Sequence, residues 1–116
     1  MEKNYDIHER VFSFVARGLK VVRFLPKTTE SKIIIDQYSR ALTSIGANDS
    51  EADGVTSKKD FIHVYTIVRK ELKETRYWLR IIAELYAHLK TRLQKLLQEN
   101  EELIKIVSSI TISAGK

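Results

Sequence analysis

At 116 residues, 43% apolar and 30% charged, the chain suits one folded domain that buries roughly 65% of its unfolded surface, and it is too apolar for a disordered chain. It has no cysteine, which excludes disulfides and thiolate metal sites, and its single proline and four glycines favour helices. The net charge of +5 is uneven: residues 58–95 hold ten Lys/Arg against four Asp/Glu, whereas residues 41–57 hold three acids and no base.

No apolar run approaches the roughly 18 residues of a membrane span, and MEKNYDIHER lacks a signal-peptide pattern, so a cytoplasmic protein is expected. From Asp6 to Leu25, the residues Ile7, Val11, Phe14, Val15, Val22 and Leu25 recur on one side of a helix. Pro26 ends it, because the residue before a proline avoids helical backbone angles. Phe12 and Leu19 lie outside that stripe and widen the apolar surface, towards a thicker core or a subunit contact.

Thr28 and Thr29 are candidate N-caps for a second helix starting near Glu30. Its seam is Ile34, Tyr38, Ala41 and Ile45, and the same period continues to Asn48 and Ala52. The stretch SIGANDSEADG, loop-like in composition, is therefore read as helix up to a stop at Gly54. Ser57 and Asp60 form a short capping box for a third helix beginning near Lys58, with a seam of Phe61, Tyr65, Val68, Leu72, Thr75, Leu79 and Ile82. Neither Gly nor Pro marks its end, which is placed near Ala87–Thr91. The last helix carries Leu93, Leu96, Leu97, Leu103, Ile104 and Val107. The expectation is one all-α domain over 1–116, an antiparallel up-down-up-down four-helix bundle with helices at approximately 6–25, 30–54, 58–87 and 91–112.

Two polar lines accompany the seams. On the second helix Gln37, Arg40, Ser44, Asn48 and Glu51 recur at spacings of three and four, at the edge of the core. On the third, Glu71 and Glu74 share a flank with Trp78, and acids so placed call for a cation, for which Arg40 is the candidate. Arg40, Ser44, Asn48, Glu51, Glu71 and Glu74 are read as a buried structural network rather than a catalytic one. An enzyme built on Glu51, Glu71 and Glu74 ranks last among the functions considered.

On the opposite flank of the third helix, Arg69, Lys73, Arg76 and Arg80 make a basic line, and Lys58 and Lys59 sit at the helix start, where free N–H groups favour anions. Phosphate binding is one use for such a line. A solvated face balanced by Glu84 and by pairs within the helix is the other. The three histidines are scattered: Asp60 and His63 have a ligand-like spacing once, Glu84 and His88 are four apart, and His8 stands beside Glu9. No metal, cofactor or catalytic residue is expected.

Together, YDIHERVFSFVARG, FLPK, QYSRALTSIGANDSEADGVTSKKDF and KELKETRYWLR resemble the four-helix-bundle family encoded in intervening sequences of bacterial 23S ribosomal RNA genes. The resemblance covers residues 5–82 closely and the last helix through EELIKIVSSI. It implies an antiparallel bundle assembled as a ring-like homopentamer, and it places SIGANDSEAD in the second helix. A related branch, the accessory variability proteins of diversity-generating retroelements, binds nucleic acid and a reverse transcriptase. Arg40, Ser44, Asn48, Glu51 and Glu71 match the family's pattern, while Asp49 departs from it at a position often apolar or aromatic. The expected function is a non-enzymatic oligomer that binds RNA or other nucleic acid through Arg69, Lys73, Arg76, Arg80, Lys58 and Lys59. The alternative is a protein-interaction scaffold that docks a larger enzyme such as a reverse transcriptase.

Overall fold

The computed structural model describes residues 6–116; residues 1–5, including Tyr5 of the family-like stretch and the start of the expected domain, lie outside the described residues. Four helices account for most of the described chain, which contains no strand: α1 (Asp6–Lys20), α2 (Thr29–Glu51), α3 (Lys58–Leu85) and α4 (Lys90–Gly115). α1 tightens into a 3-10 turn over Val21–Phe24, and Leu25 then turns extended (φ −89°, ψ 141°), the conformation that Pro26 imposes on its predecessor. Thr28 caps α2, its Oγ1 accepting from the Ser31 amide at 3.2 Å. Ser57 caps α3 in the same way, accepting from the Asp60 amide at 3.1 Å.

The helix ends depart from expectation in four places. The last turns of the first two helices, Val21–Phe24 and Ala52–Gly54, are 3-10 rather than α. α3 stops at Leu85, where Tyr86 leaves the helical region (φ −123°, ψ 72°), and a 3-10 turn over Ala87–Leu89 leads into α4. The cause is packing: Leu89 turns into the core at 4% exposure, and its amide donates to the Tyr86 carbonyl at 2.8 Å. α4 runs on to Gly115 instead of stopping near 112.

α3 packs against α2 and α4, and α1 closes the ring of contacts by packing against both α2 and α4. The core between them holds Val11, Phe14, Tyr38, Leu42, Ile45, Leu72, Leu79, Ile82, Leu93, Leu103 and Val107, all fully buried. Leu19 packs partly against it, whereas Phe12 points outwards. The seam of α2 is broader than its three-four spacing suggests, because Leu42 and Asp49 are buried while Asn48 is half-buried. Where α1 crosses α2, Gly18 lies under Leu42, and the Tyr38 hydroxyl donates to the Gly18 carbonyl at 2.7 Å. One polar side chain interrupts the α4 seam: Asn100 is buried, its Nδ2 donating to the Leu72 carbonyl at 3.0 Å. The molecule measures 45 × 26 × 18 Å, and the 28 residues of α3, about 42 Å at 1.5 Å each, run nearly its full length.

Candidate nucleic-acid interface

Two cations of α3, Arg69 and Arg76, reach α4. Arg69 Nε donates to Ser108 Oγ at 2.9 Å, and Arg76 Nη1 donates to Glu101 Oε1 at 3.2 Å. As the α3 number rises from 69 to 76, its α4 partner falls from 108 to 101. Lys73 and Arg80 are exposed and make no ion pair among the described residues. The four form a row about 17 Å long, by the helical rise. Lys58 and Lys59 are also exposed, but they begin α3 about 15 Å before Arg69 along the axis and do not join the row. The expected balance by Glu84 is not found: Glu84 is exposed and unpaired among the described residues, and the acid that meets the row, Glu101, comes from α4.

The other flank of α3 meets α2. Arg40 Nη1 donates to both Glu71 oxygens at 3.4 Å, and its Nη2 bonds Glu74 Oε2, which also accepts from Trp78 Nε1 at 3.2 Å. The hydrogen bond from Arg40 holds the Glu74 carboxyl below its ordinary pKa against a smaller opposing effect of burial, and the same bond raises that of Arg40. The expected burial of this network fails: the Arg40 side chain is 48% exposed and Glu74 29%, leaving only Glu71, at 7%, inside. An arginine reaching in from the rim accounts for this, since its guanidinium bonds the carboxylates and still stays partly in water. Ser44 and Asn48 stay apart from it, with Asn48 Nδ2 donating to the Ser44 carbonyl at 2.9 Å and hydroxyl at 3.3 Å. Glu51 is exposed at the end of α2, about 16 Å from Arg40 along the axis, so it does not meet Glu71 and Glu74. Among the described residues, no group of three or more His, Asp or Glu is placed to hold a metal ion.

The family model for the 23S rRNA-intervening sequence protein matches residues 3–109. The chain belongs to that family. Among solved structures, this intervening-sequence protein is similar to a protein with unknown function from the S23 ribosomal protein family of Bacteroides thetaiotaomicron VPI-5482, at 28% identity and a TM-score of 0.82, over 90% of this chain and 97% of that one. A comparison with curated proteins gave no match.

Asp49, the residue expected to depart from the family pattern, anchors a charged cluster that the spacing of the sequence did not reveal. Asp49 is buried at 4%, accepting from the Tyr65 hydroxyl at 2.9 Å through Oδ1 and meeting His8 Nδ1 at 3.0 Å through Oδ2. His8 Nε2 lies 3.3 Å from Asp53, which is open to solvent. The hydrogen bond to Asp49 raises the His8 pKa above 6.5, against the opposing effect of burial, with the charges of both acids adding to the rise. Burial, with Asp49 beside it, pushes the Tyr65 phenol up as well. A signal existed in the sequence: Asp49 lies seven residues after Leu42, which puts both on one face of α2. A second missed cluster ties α1 to α4, where Arg10 bonds Glu99 through two nitrogens at 2.9 and 2.7 Å and Glu102 at 2.8 Å.

Proposed function

We propose that this intervening-sequence protein is a non-enzymatic, cytoplasmic homo-oligomer that binds RNA or other nucleic acid along the α3 row. Its subunit is an antiparallel up-down-up-down bundle, and its assembly is a ring, pentameric by family resemblance. The observation that carries the reading is the row of cations at the α3–α4 edge. Arg69 and Arg76 each donate one hydrogen bond to α4, which positions their guanidinium forks beside the exposed Lys73 and Arg80. A fork already positioned loses less freedom when it meets a phosphate. Phe12 supports the oligomer: it is 74% exposed beside a groove between α1 and α2 that includes Val15, Thr43 and Gly46. Repetition around a ring raises avidity by about 10²–10⁴ where the geometry permits.

The test is fluorescence anisotropy with structured RNA, single-stranded RNA and duplex DNA between about 50 and 300 mM salt, alongside the solution mass of native and Phe12→Ser protein. Four phosphate contacts give a log–log salt slope of about −3.6 on duplex DNA and about −2.8 on a single strand, steeper when several subunits engage. Lys73→Glu with Arg80→Glu removes the two unpaired cations of the row and should abolish duplex binding while leaving the helical signal intact. Native affinity and slope in that variant would rule the row out. Absence of binding at low salt would leave the scaffold reading in its place.

A further inference from the structure

The surplus positive charge of the chain gathers where α1 runs out and α4 begins. A cavity of about 430 Å³ opens there, within the range of roughly 300–1,000 Å³ usual for ligand clefts. Arg17, Lys20 and Arg23 wall it on one side, Arg92 and Lys95 on the other, and no acid lines it. With these five set aside, the chain's remaining fifteen cations and fifteen acids balance. None of the five forms an ion pair among the described residues, in contrast to Arg10, Arg40 and Arg76.

This arrangement is unfavourable for the isolated subunit. Arg17 with Lys20, and Arg92 with Lys95, are like charges three apart on one helix face, which repel. Cations in the opening turns of α4 oppose its dipole, and those turns contain neither an acid nor a side-chain cap. An anion in the cleft relieves every one of these repulsions.

The floor narrows the choice of anion. It is apolar, made by Val21, Phe24 and Leu96, and the Arg92 guanidinium lies 4.3 Å over the Phe24 ring, which remains 46% exposed. Inorganic phosphate uses the cations and leaves the ring idle. A duplex offers phosphates but hides its base faces. An unpaired nucleotide uses both, with its phosphate among the cations and its base on the aromatic–guanidinium platform.

We propose that this cleft is a binding site for single-stranded nucleic acid, separate from the α3 row. The proposal rests on the nucleic-acid reading above and adds to it the strand type. Phe24→Ala should weaken a single-stranded uridine 20-mer by at least about fivefold, the lower bound for losing one stacked base, and leave duplex binding unchanged. Phe24→Trp should restore single-strand affinity. Lys20→Gln with Lys95→Gln should make the single-strand salt slope shallower by about 1.4. The cleft is overturned if all three variants bind the 20-mer with native affinity and slope while Lys73→Glu with Arg80→Glu loses it, an outcome that leaves the α3 reading standing. Equal weakening of single strand and duplex by Phe24→Ala would overturn the base-stacking assignment. A native protein that binds neither probe would overturn both readings.

Discussion

His8 stands between two carboxylates in very different surroundings, with Asp49 buried and Asp53 in water. A neutral imidazole can donate to one of them but then turns a lone pair towards the other, so only the imidazolium satisfies both. The folded pKa is therefore raised, and the sign of the linkage follows. The stabilisation is fully present below the unfolded value of about 6.5 and is lost as pH rises through the folded value above it. Native protein should melt at a lower temperature as the buffer moves upwards from about pH 6.5, and His8→Gln should lack that decline. The effect is modest, because the imidazole is 38% exposed and water screens its charge. Parallel melting curves for the two proteins across this range would show that the bridge contributes nothing. Why Arg40 was foreseeable and His8 was not is a matter of company. Arg40 lay on a regular polar line opposite two acids that lacked a cation, whereas Asp49 sat among other acids and its burial depends on Tyr65 from another helix.

The two glycines inside α1 and α2 make opposite demands on their helices. A Cβ at Gly18 would meet the Leu42 methyls at 2.9 and 3.0 Å and the Tyr38 hydroxyl at 3.2 Å, all inside the closed core. A Cβ at Gly46 would meet only Val15, at an ordinary 3.6 Å. Gly18→Ala should therefore destabilise by about 1–3 kcal/mol as the crossing is forced apart, while Gly46→Ala should stabilise by about 0.5–1 kcal/mol through helix propensity. Urea midpoints measure both, and equal shifts would mean that α1 and α2 are not in close approach at Gly18. Elements of this kind are legible in sequence as far as their causes are local. Thr28, Ser57 and Pro26 set helix ends within a few residues of themselves, and the caps and the stop were anticipated. The end of α3 depends on Leu89 finding the core, and the α1–α4 cleft joins residues some seventy positions apart, so neither leaves a local trace.

Over the whole molecule, the seams were enough to anticipate an all-α fold of four helices, because each apolar stripe must be buried against another. They said nothing about where charge collects, since that follows from which helix ends meet. The cleft and the His8 bridge lie at opposite ends of α1, about 20 Å apart: five unpaired cations at one end, and the acids Asp49 and Asp53 at the other. The five cations and the two acids thus set up a dipole along α1. In the field of a polyanion it experiences a torque as well as a pull, and encounters begin with the cleft end leading. Stopped-flow association with the uridine 20-mer should consequently slow as salt rises, by a larger factor than dissociation speeds up. A salt dependence carried by dissociation alone would mean that the approach is unguided. The separation of charge along α1 therefore acts on the speed and direction of arrival before any contact is made.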